Sequence, residues 1–346
     1  MLADKDPFDL LERLVALPSP SGDEGPYARV VADLWRDLPA PGGGLEVRLD
    51  EVAPGRPNVL ALPRGRAPDV VLSTHLDVVP PHVPPRREGE RLFGRGTADT
   101  KGPLVAMLLA AEALLREGLA VGFLGVVGEE VDHSGAAHAA RVLDLGQAPI
   151  LLGEPTSNRV VVAQKGLLKV RLVAVGVAGH SAFPDRGVSA VHRLLDHLDA
   201  LRREPWPSDP VLGPTTLNVG TIGGGVAANV FAPAAAAEVL MRLSCPSADA
   251  LARVRALAPE GVAVEVVSHN DPLRLMPPAD EPACTIPFNS DASYLAPLGP
   301  VWLAGPGAIE VAHAAHEHID RADLLAGAAL YERLARAAVR GRGGPA

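Results

Sequence analysis

Aromatic residues are scarce in this 346-residue chain, at 3% of positions, so alanine, valine and leucine must supply most of any core. Cysteine is scarcer still. The two cysteines, Cys245 and Cys284, form no Cys-x-x-Cys pair, which excludes a zinc knuckle and the usual dithiol redox motif. Nothing in the sequence supports a disulfide between them, and two reduced thiols are typical of a cytoplasmic protein.

A leader segment, a long apolar run and an excess of positive charge are also missing. Residues 1–6 lack a basic segment followed by an apolar run, so we expect no signal peptide. The longest apolar candidate, residues 103–115, contains Glu112 and falls short of the ~18 residues of a membrane span. The formal net charge of −9 argues against nucleic acid or an anionic membrane as a partner. We therefore predict a cytoplasmic protein.

Buried strands and helices alternate over the first 160 residues. Asp69–Thr74, Leu119–Val127 and Ala148–Leu152 are apolar runs typical of buried parallel strands, and Lys101–Glu117 has the period of a helix. Another apolar run typical of a buried strand follows at Pro300–Ala304. This alternation predicts an α/β fold with a mixed, mainly parallel sheet and helices on both faces.

The pattern changes after Val160. A strand that alternates over Leu167–Val177 is followed by a helix, two strands, a helix and a strand. The order β-α-β-β-α-β is the ferredoxin-like arrangement. We therefore predict an inserted domain at 168–272, with 1–167 and 273–346 forming the domain around it.

Side chains that can bind metal follow the predicted strands. His75 and Asp77 face the same side of an extended segment, which suits a histidine ligand with its orienting carboxylate or a structural His–Asp contact. Asp99 precedes a helix and could bridge two metals or cap the helix. Glu129 and Glu130 end a buried strand, where one could bind metal while the other faces a substrate. A solvated pair in a loop is the alternative.

Two further segments complete this set. Glu154 ends another strand, and His313 lies close to His316 and His318, of which at most one or two can face a common site. Mixed nitrogen and oxygen donors suit zinc, and a bridging carboxylate suits two zinc ions. A carboxylate base beside such a site predicts hydrolysis by a metal-activated water.

As an ordered set, these motifs resemble the co-catalytic zinc hydrolases, a family that includes acetylornithine deacetylase, succinyl-diaminopimelate desuccinylase, aminoacylase and carboxypeptidase G. The resemblance runs from about Phe8 to Arg336. The motifs are Thr74-His75-Leu76-Asp77-Val78-Val79-Pro80, Gly94-Arg95-Gly96 with Asp99-Thr100-Lys101-Gly102, Gly128-Glu129-Glu130, Gly153-Glu154-Pro155-Thr156 and Gly179-His180-Ser181.

The resemblance implies a site with two zinc ions, for which cobalt can substitute. It makes His75 and Glu154 ligands of one ion and makes Glu130 and His313 ligands of the other. Asp99 would bridge the two ions.

The resemblance also implies catalytic and binding roles. It makes Glu129 the general base and later the acid, and Asp77 the residue that orients the ligand histidine. His180 would reach the partner subunit's site and help to hold the oxyanion, which implies a homodimer through an inserted lid domain. Asn229 and Arg242 would bind the substrate carboxylate, to which an arginine fork is well matched.

Three stretches lean toward acetylornithine deacetylase: Thr216–Gly220 with Gly223, Gly224 and Asn229, then Gly153–Ser157, and Gly305–Ile309 with His313. We therefore predict zinc-dependent deacylation of N2-acetyl-ornithine, or of an N-acyl-lysine, in arginine or lysine biosynthesis. A succinyl-diaminopimelate desuccinylase, or a dipeptidase or carboxypeptidase with the same metal site, is the alternative. A non-catalytic binding protein would require a lost ligand or base, and none is missing. The stretch His316-Glu317-His318 departs from the acetylornithine deacetylase pattern and leaves the acyl group and the amine side chain open.

Overall fold

Eight α-helices lie in the residues that the computed structural model describes, which are 6–40, 43–278 and 280–342. They are α1 Pro7–Val15, α2 Gly25–Arg36, α3 Lys101–Arg116, α4 Ser134–Val142, α5 Ala190–Arg203, α6 Ser247–Ala256, α7 Ala292–Leu295 and α8 Arg321–Arg342. The first begins after Asp6, whose carboxylate accepts the backbone N–H of Phe8 at 2.9 Å and so caps the helix. Across these ranges no helix combines the length and the apolar character that a membrane crossing requires.

Eighteen strands accompany the helices in the same ranges. They are β1 Leu45–Ala53, β2 Arg56–Pro63, β3 Val70–His75, β4 Arg86–Glu88, β5 Arg91–Phe93, β6 Val121–Val126, β7 Ile150–Gly153, β8 Val160–Gln164, β9 Gly166–Val175, β10 Ser208–Asp209, β11 Gly213–Pro214, β12 Thr216–Gly224, β13 Ala234–Leu243, β14 Val262–Asn270, β15 Leu273–Arg274, β16 Ala283–Ile286, β17 Val301–Ala304 and β18 His318–Asp320.

The chain divides into two compact units. The first comprises Met1–Val162, Leu275–Cys284 and Tyr294–Ala346, and the second comprises Ala163–Arg274 and Thr285–Ser293. The inserted domain predicted at 168–272 lies within the second unit, which begins five residues earlier and also takes in Thr285–Ser293.

The first unit contains a six-stranded sheet with the strand order β1-β2-β6-β3-β7-β17. Strands β6, β3, β7 and β17 run parallel, whereas β1 and β2 pair antiparallel. Every residue of β3 and β6 is buried, as expected for parallel strands covered on both faces. The carboxyl ends of these parallel strands meet at one edge, where open α/β sheets bind their ligands.

The second unit has the β-α-β-β-α-β order in β9, α5, β12, β13, α6 and β14. Its four strands form an antiparallel sheet in the order β12-β13-β9-β14. Alternate residues of β9 and β13 pack with α5 and α6 in one apolar core, which explains the alternating pattern in the sequence. A mixed, mainly parallel sheet with an inserted ferredoxin-like unit confirms the predicted fold class.

Candidate active site

His75 is the last residue of β3, and its imidazole is almost fully buried. Its Nδ1 donates to the backbone carbonyl of Asp77 at 2.9 Å. The Asp77 carboxylate accepts hydrogen bonds from Ser21 Oγ at 2.7 Å and from the backbone N–H groups of Glu129 and Glu130 at 3.1 and 3.2 Å. Asp77 thus holds the start of the loop that carries both glutamates, and it lies 3.5 Å from the His75 ring nitrogen.

Four of the side chains predicted to bind metal converge in the first unit. His75 Nε2 lies 2.9 Å from one carboxylate oxygen of Asp99. His313 Nε2 lies 3.2 Å from the other oxygen of Asp99 and 3.0 Å from Glu130 Oε1. Ligand atoms of His75, Asp99 and Glu130 all lie within 4.8 Å of one another. The Asp99 carboxylate therefore spans the two histidines, as a bridging ligand must.

The cluster favours bound positive charge. Hydrogen bonds with Asp99 and Glu130 raise the pKa of His313 to about 10. Burial would lower the pKa of His75, but hydrogen bonds with Asp77 and Asp99 outweigh it and hold that pKa well above its usual value. Both imidazoles would carry a second proton without a cation, and a divalent cation that displaces these protons would neutralise the same carboxylates.

The pKa values of the two carboxylates in the cluster shift in opposite directions. Burial would raise the pKa of Asp99, but hydrogen bonds with His313 and His75 bring it well below the usual range. Burial and the nearby Asp99 charge raise the pKa of Glu130, although His313 opposes them. Two imidazoles and two carboxylates that share one small, mostly buried volume are a donor set that zinc accepts, so these residues fit a zinc site.

Glu154 lies at the neighbouring strand end. It follows β7 directly and is 3% exposed. Strand β7 runs parallel to β3 with Leu152 opposite Ser73, and continuing this register by two residues puts Glu154 level with His75. In the described ranges, the group of ligand atoms within 4.8 Å of one another contains His75, Asp99 and Glu130, and His313 joins it through its contacts with Asp99 and Glu130. Glu154 is not a member of that group.

Glu129, the predicted base, is next to Glu130 in the loop after β6. Its side chain is 11% exposed, and Oε1 lies 3.8 Å from His133 Nδ1. Among the influences on the pKa of His75, after burial and the hydrogen bonds, is the negative charge of Glu129. Glu129 is therefore within electrostatic range of the cluster and still partly open to solvent, as a base that takes a proton from water requires.

Two buried charged residues beside the cluster had no role in the sequence analysis. Arg95 Nη1 and Glu317 Oε2 form an ion pair at 2.6 Å, with both side chains nearly inaccessible to solvent. Burial and the Asp99 charge raise the pKa of Glu317, although Arg95 opposes them. The motif Gly94-Arg95-Gly96 marked one partner, whereas a lone glutamate between His316 and His318 carries no signal of its own.

The three remaining predicted residues lie in the second unit. His180 is exposed, and its Nδ1 accepts the backbone N–H of Ala182 at 3.1 Å. Asn229 is exposed, and its backbone carbonyl accepts the N–H of Ser181 at 3.0 Å. Arg242 lies on β13 and is half-buried, on the side of the strand away from the apolar core. The cluster of His75, Asp99, Glu130 and His313 and these three residues thus belong to different units.

Comparison with known sequences identifies one matching family and related proteins. The family model described as peptidase family M20/M25/M40 matches residues 71–337. A peptidase M20 domain-containing protein of Schizosaccharomyces pombe is 34% identical over 84% of this chain and 76% of its own length. A probable carboxypeptidase of Aspergillus clavatus is 34% identical over 94% of this chain and 81% of its own.

Solved structures share the fold at lower identity. A tripeptidase from Staphylococcus aureus superposes with a TM-score of 0.79 at 21% identity and covers 97% of this chain and 98% of its own. An M20 family metallo-carboxypeptidase from Sulfolobus solfataricus gives a TM-score of 0.74 at 17% identity, over 97% and 100% of the two chains. Both likenesses support the architecture described above.

Proposed function

This chain belongs to peptidase family M20/M25/M40, and from that premise we propose that it uses two zinc ions to hydrolyse the amide bond of a small substrate with a free carboxylate. It is a metallohydrolase that acts on amides. The observation that carries the proposal is the convergence of His75, Asp99, Glu130 and His313, in which one carboxylate spans two imidazoles.

The mechanism assigns one task to each group. His75, Asp99, Glu130 and His313 would hold the metal, with Glu154 at the adjoining strand end. Bound zinc ions supply a water of lowered pKa and polarise the carbonyl of the amide.

Two residues of the chain then act, one on the proton and one on the orientation of a ligand. Glu129 accepts the proton of the attacking water and later delivers it to the leaving amine. Asp77 keeps the His75 ring oriented through the contacts described above.

The second unit supplies the rest of the proposed machinery. We propose that His180 donates a hydrogen bond to the developing oxyanion in the site of a second copy of the chain, within a homodimer formed through this unit. Asn229 and Arg242 would bind the substrate carboxylate, because a guanidinium can donate two parallel hydrogen bonds to it. The support for these roles is the match of the Gly179-His180-Ser181 and Asn229 segments to the family pattern.

For the substrate, we propose an N-acyl amino acid, with N2-acetyl-ornithine and N-acyl-lysine as first candidates, which belong to arginine and lysine biosynthesis. A carboxypeptidase activity is the second candidate, because the Aspergillus clavatus relative is named a probable carboxypeptidase. The two candidates differ in the acyl side of the scissile bond, whereas both place a free carboxylate on the other side.

A substrate panel tests the proposal. Zinc-loaded protein would be given N2-acetyl-ornithine, N2-acetyl-lysine, N-succinyl-diaminopimelate, glutamyl-lysine and unmodified dipeptides, and the released amine would be measured. We expect turnover that disappears with chelator and returns with zinc or cobalt. Preference for dipeptides would replace the deacylase with the peptidase, and no metal-dependent release from any member of the panel would contradict the proposed function.

A further inference from the structure

A buried ion pair links the two segments that carry Asp99 and His313. Arg95 and Glu317 are separated by 222 positions, yet their side chains meet at 2.6 Å and are 2% and 0% exposed. Replacing a buried pair of this kind by apolar packing is often neutral or stabilising, so the pair by itself is weak evidence of a contribution to stability.

Glu317 fills an anion-binding turn just before α3. Its Oε1 accepts three backbone N–H groups, from Gly96 at 2.9 Å and from Ala98 and Asp99 at 3.1 Å each. Successive amides that point at one anion form a nest, and the positive end of α3 adds to its field. The backbone nitrogen of Asp99 is thus fixed by a carboxylate of the same chain.

Arg95 fixes the other segment. Its Nη2 donates to the backbone carbonyl of His313 at 3.2 Å, and its Nη1 donates to that of Ala314 at 3.3 Å as well as to Glu317. His313 has a φ of 63°, a backbone conformation that residues other than glycine rarely adopt. The hydrogen bond from Arg95 therefore supports a strained part of the backbone.

We propose that Arg95 and Glu317 are positioning residues that set the distance between Asp99 and His313 and thereby the affinity of the site for metal. This inference rests on the metal site of the proposed function. Neither residue binds metal: Glu317 acts through the backbone of the bridging Asp99, and Arg95 acts through the backbone of His313. Outer contacts of this kind commonly change metal affinity about 10–100-fold when they are lost.

Glu317 contacts the backbone of Asp99, whereas Arg95 contacts that of His313. Variants of the two residues should therefore differ in which zinc ion they bind more weakly. In Glu317→Gln the amide cannot accept from both the three backbone N–H groups and Arg95, because one of its two heteroatoms is a donor. The loss reaches Asp99, which would contact both ions, so we expect both zinc affinities to fall by about 10–100-fold. In Arg95→Lys the charge remains, but one ammonium replaces the fork, so we expect weaker binding of only the ion held through His313.

The test is a metal titration of the apo-proteins. Zinc binding would be measured by calorimetry with a competing chelator, and cobalt binding by visible absorption, whose band intensity reports the coordination geometry. Circular dichroism and the melting temperature of each apo-protein establish that it is folded. Arg95→Lys keeps the charge of the buried pair and serves as the measurement if Glu317→Gln does not fold.

Glu112→Gln is the matched control. Glu112 is also a buried carboxylate paired with an arginine, Arg116 at 2.6 Å, but both lie on α3 outside the loops that carry Asp99 and His313. We expect this variant to lose stability and keep wild-type zinc affinities. Wild-type affinity in both Arg95→Lys and Glu317→Gln, or an equal loss in Glu112→Gln, would overturn the inference alone. A wild-type protein that binds no zinc would overturn the proposed function together with it.

Discussion

Glu129 and Glu130 are adjacent, yet their surroundings separate their roles. The Glu130 carboxylate contacts His313 at 3.0 Å and is 7% exposed, whereas Glu129 lies 3.8 Å from His133 and its side chain is 11% exposed. Both backbone amides are held by Asp77. The loop is therefore anchored independently of the charge on Glu129.

We predict that Glu129→Gln keeps the fold and the metal but loses turnover. The amide occupies the same volume and cannot accept a proton, and loss of a general base typically costs about 100- to 10,000-fold in rate. Steady-state kinetics and metal analysis of the same preparation check this. A variant with near-wild-type kcat would show that another group takes the proton.

The clustered side chains and the contact of Asp77 with His75 could be predicted from the sequence, whereas the contacts of Glu317 could not. His75 and Glu154 lie at the ends of apolar runs, because a buried strand delivers its last residues to the sheet edge, and Asp99 directly precedes the first turn of α3. Glu317 is recognised only by its contacts, since its partners Gly96 and Asp99 lie more than 200 positions away. No local pattern encodes such a contact.

At the level of elements, Asn58 on β2 closes the loop that carries the two glutamates. Its side chain accepts the N–H of Val127 at 3.1 Å and donates to the carbonyl of Gly135 at 2.9 Å. These two residues stand at the end of β6 and the start of α4. Because one buried side-chain amide makes hydrogen bonds at both ends of the loop, it fixes the distance between those ends.

We predict that Gly135→Ala lowers stability and activity together. A Cβ at Gly135 would lie 2.6 Å from Asn58 Oδ1 and closer still to the Val127 backbone, so the loop must shift. Overpacking of this kind typically costs about 1–3 kcal/mol. Chemical denaturation and kcat/KM measure the two effects. Gly223→Ala is the control, because a Cβ there meets nothing within 4 Å. Equal behaviour of the two variants would contradict the prediction.

The long elements were predictable and the short ones were not. Helix α3 and strands β3 and β6 have uniform apolar patterns, and the structure places them within two residues of the expected bounds. Neither the short hairpin β4–β5 nor α4 was predicted from the sequence. Three-residue strands show no period, and the apolar residues of α4 are mostly alanines, which mark no face clearly.

At the level of the whole molecule, the proposed homodimer makes a complementation prediction. His180→Ala and Glu129→Gln chains would be inactive separately. Their co-expression should restore roughly a quarter of wild-type activity, because random pairing makes about half of the dimers hybrid and each hybrid contains one site with both groups intact. Activity and sedimentation of the purified mixture are the measurements.

The opposite outcome is equally informative. If His180 acted within its own chain, each site of a hybrid would still lack one of the two groups, and the mixture would stay inactive. An active monomer would exclude the shared site in the same way. Either result would remove His180 from the partner's site and leave the metal cluster of the first unit unaffected.

The position of the second unit in the chain determines the order in which the site can be assembled on the ribosome. His75, Asp99, Glu130 and Glu154 are all synthesised before the second unit begins at Ala163, whereas His313 follows it. At typical rates of synthesis, His313 emerges roughly 10–40 s after Glu130. A nascent chain therefore presents the Asp99 carboxylate with only one of its two histidines, and the complete group of side chains can form only after the second unit has been synthesised.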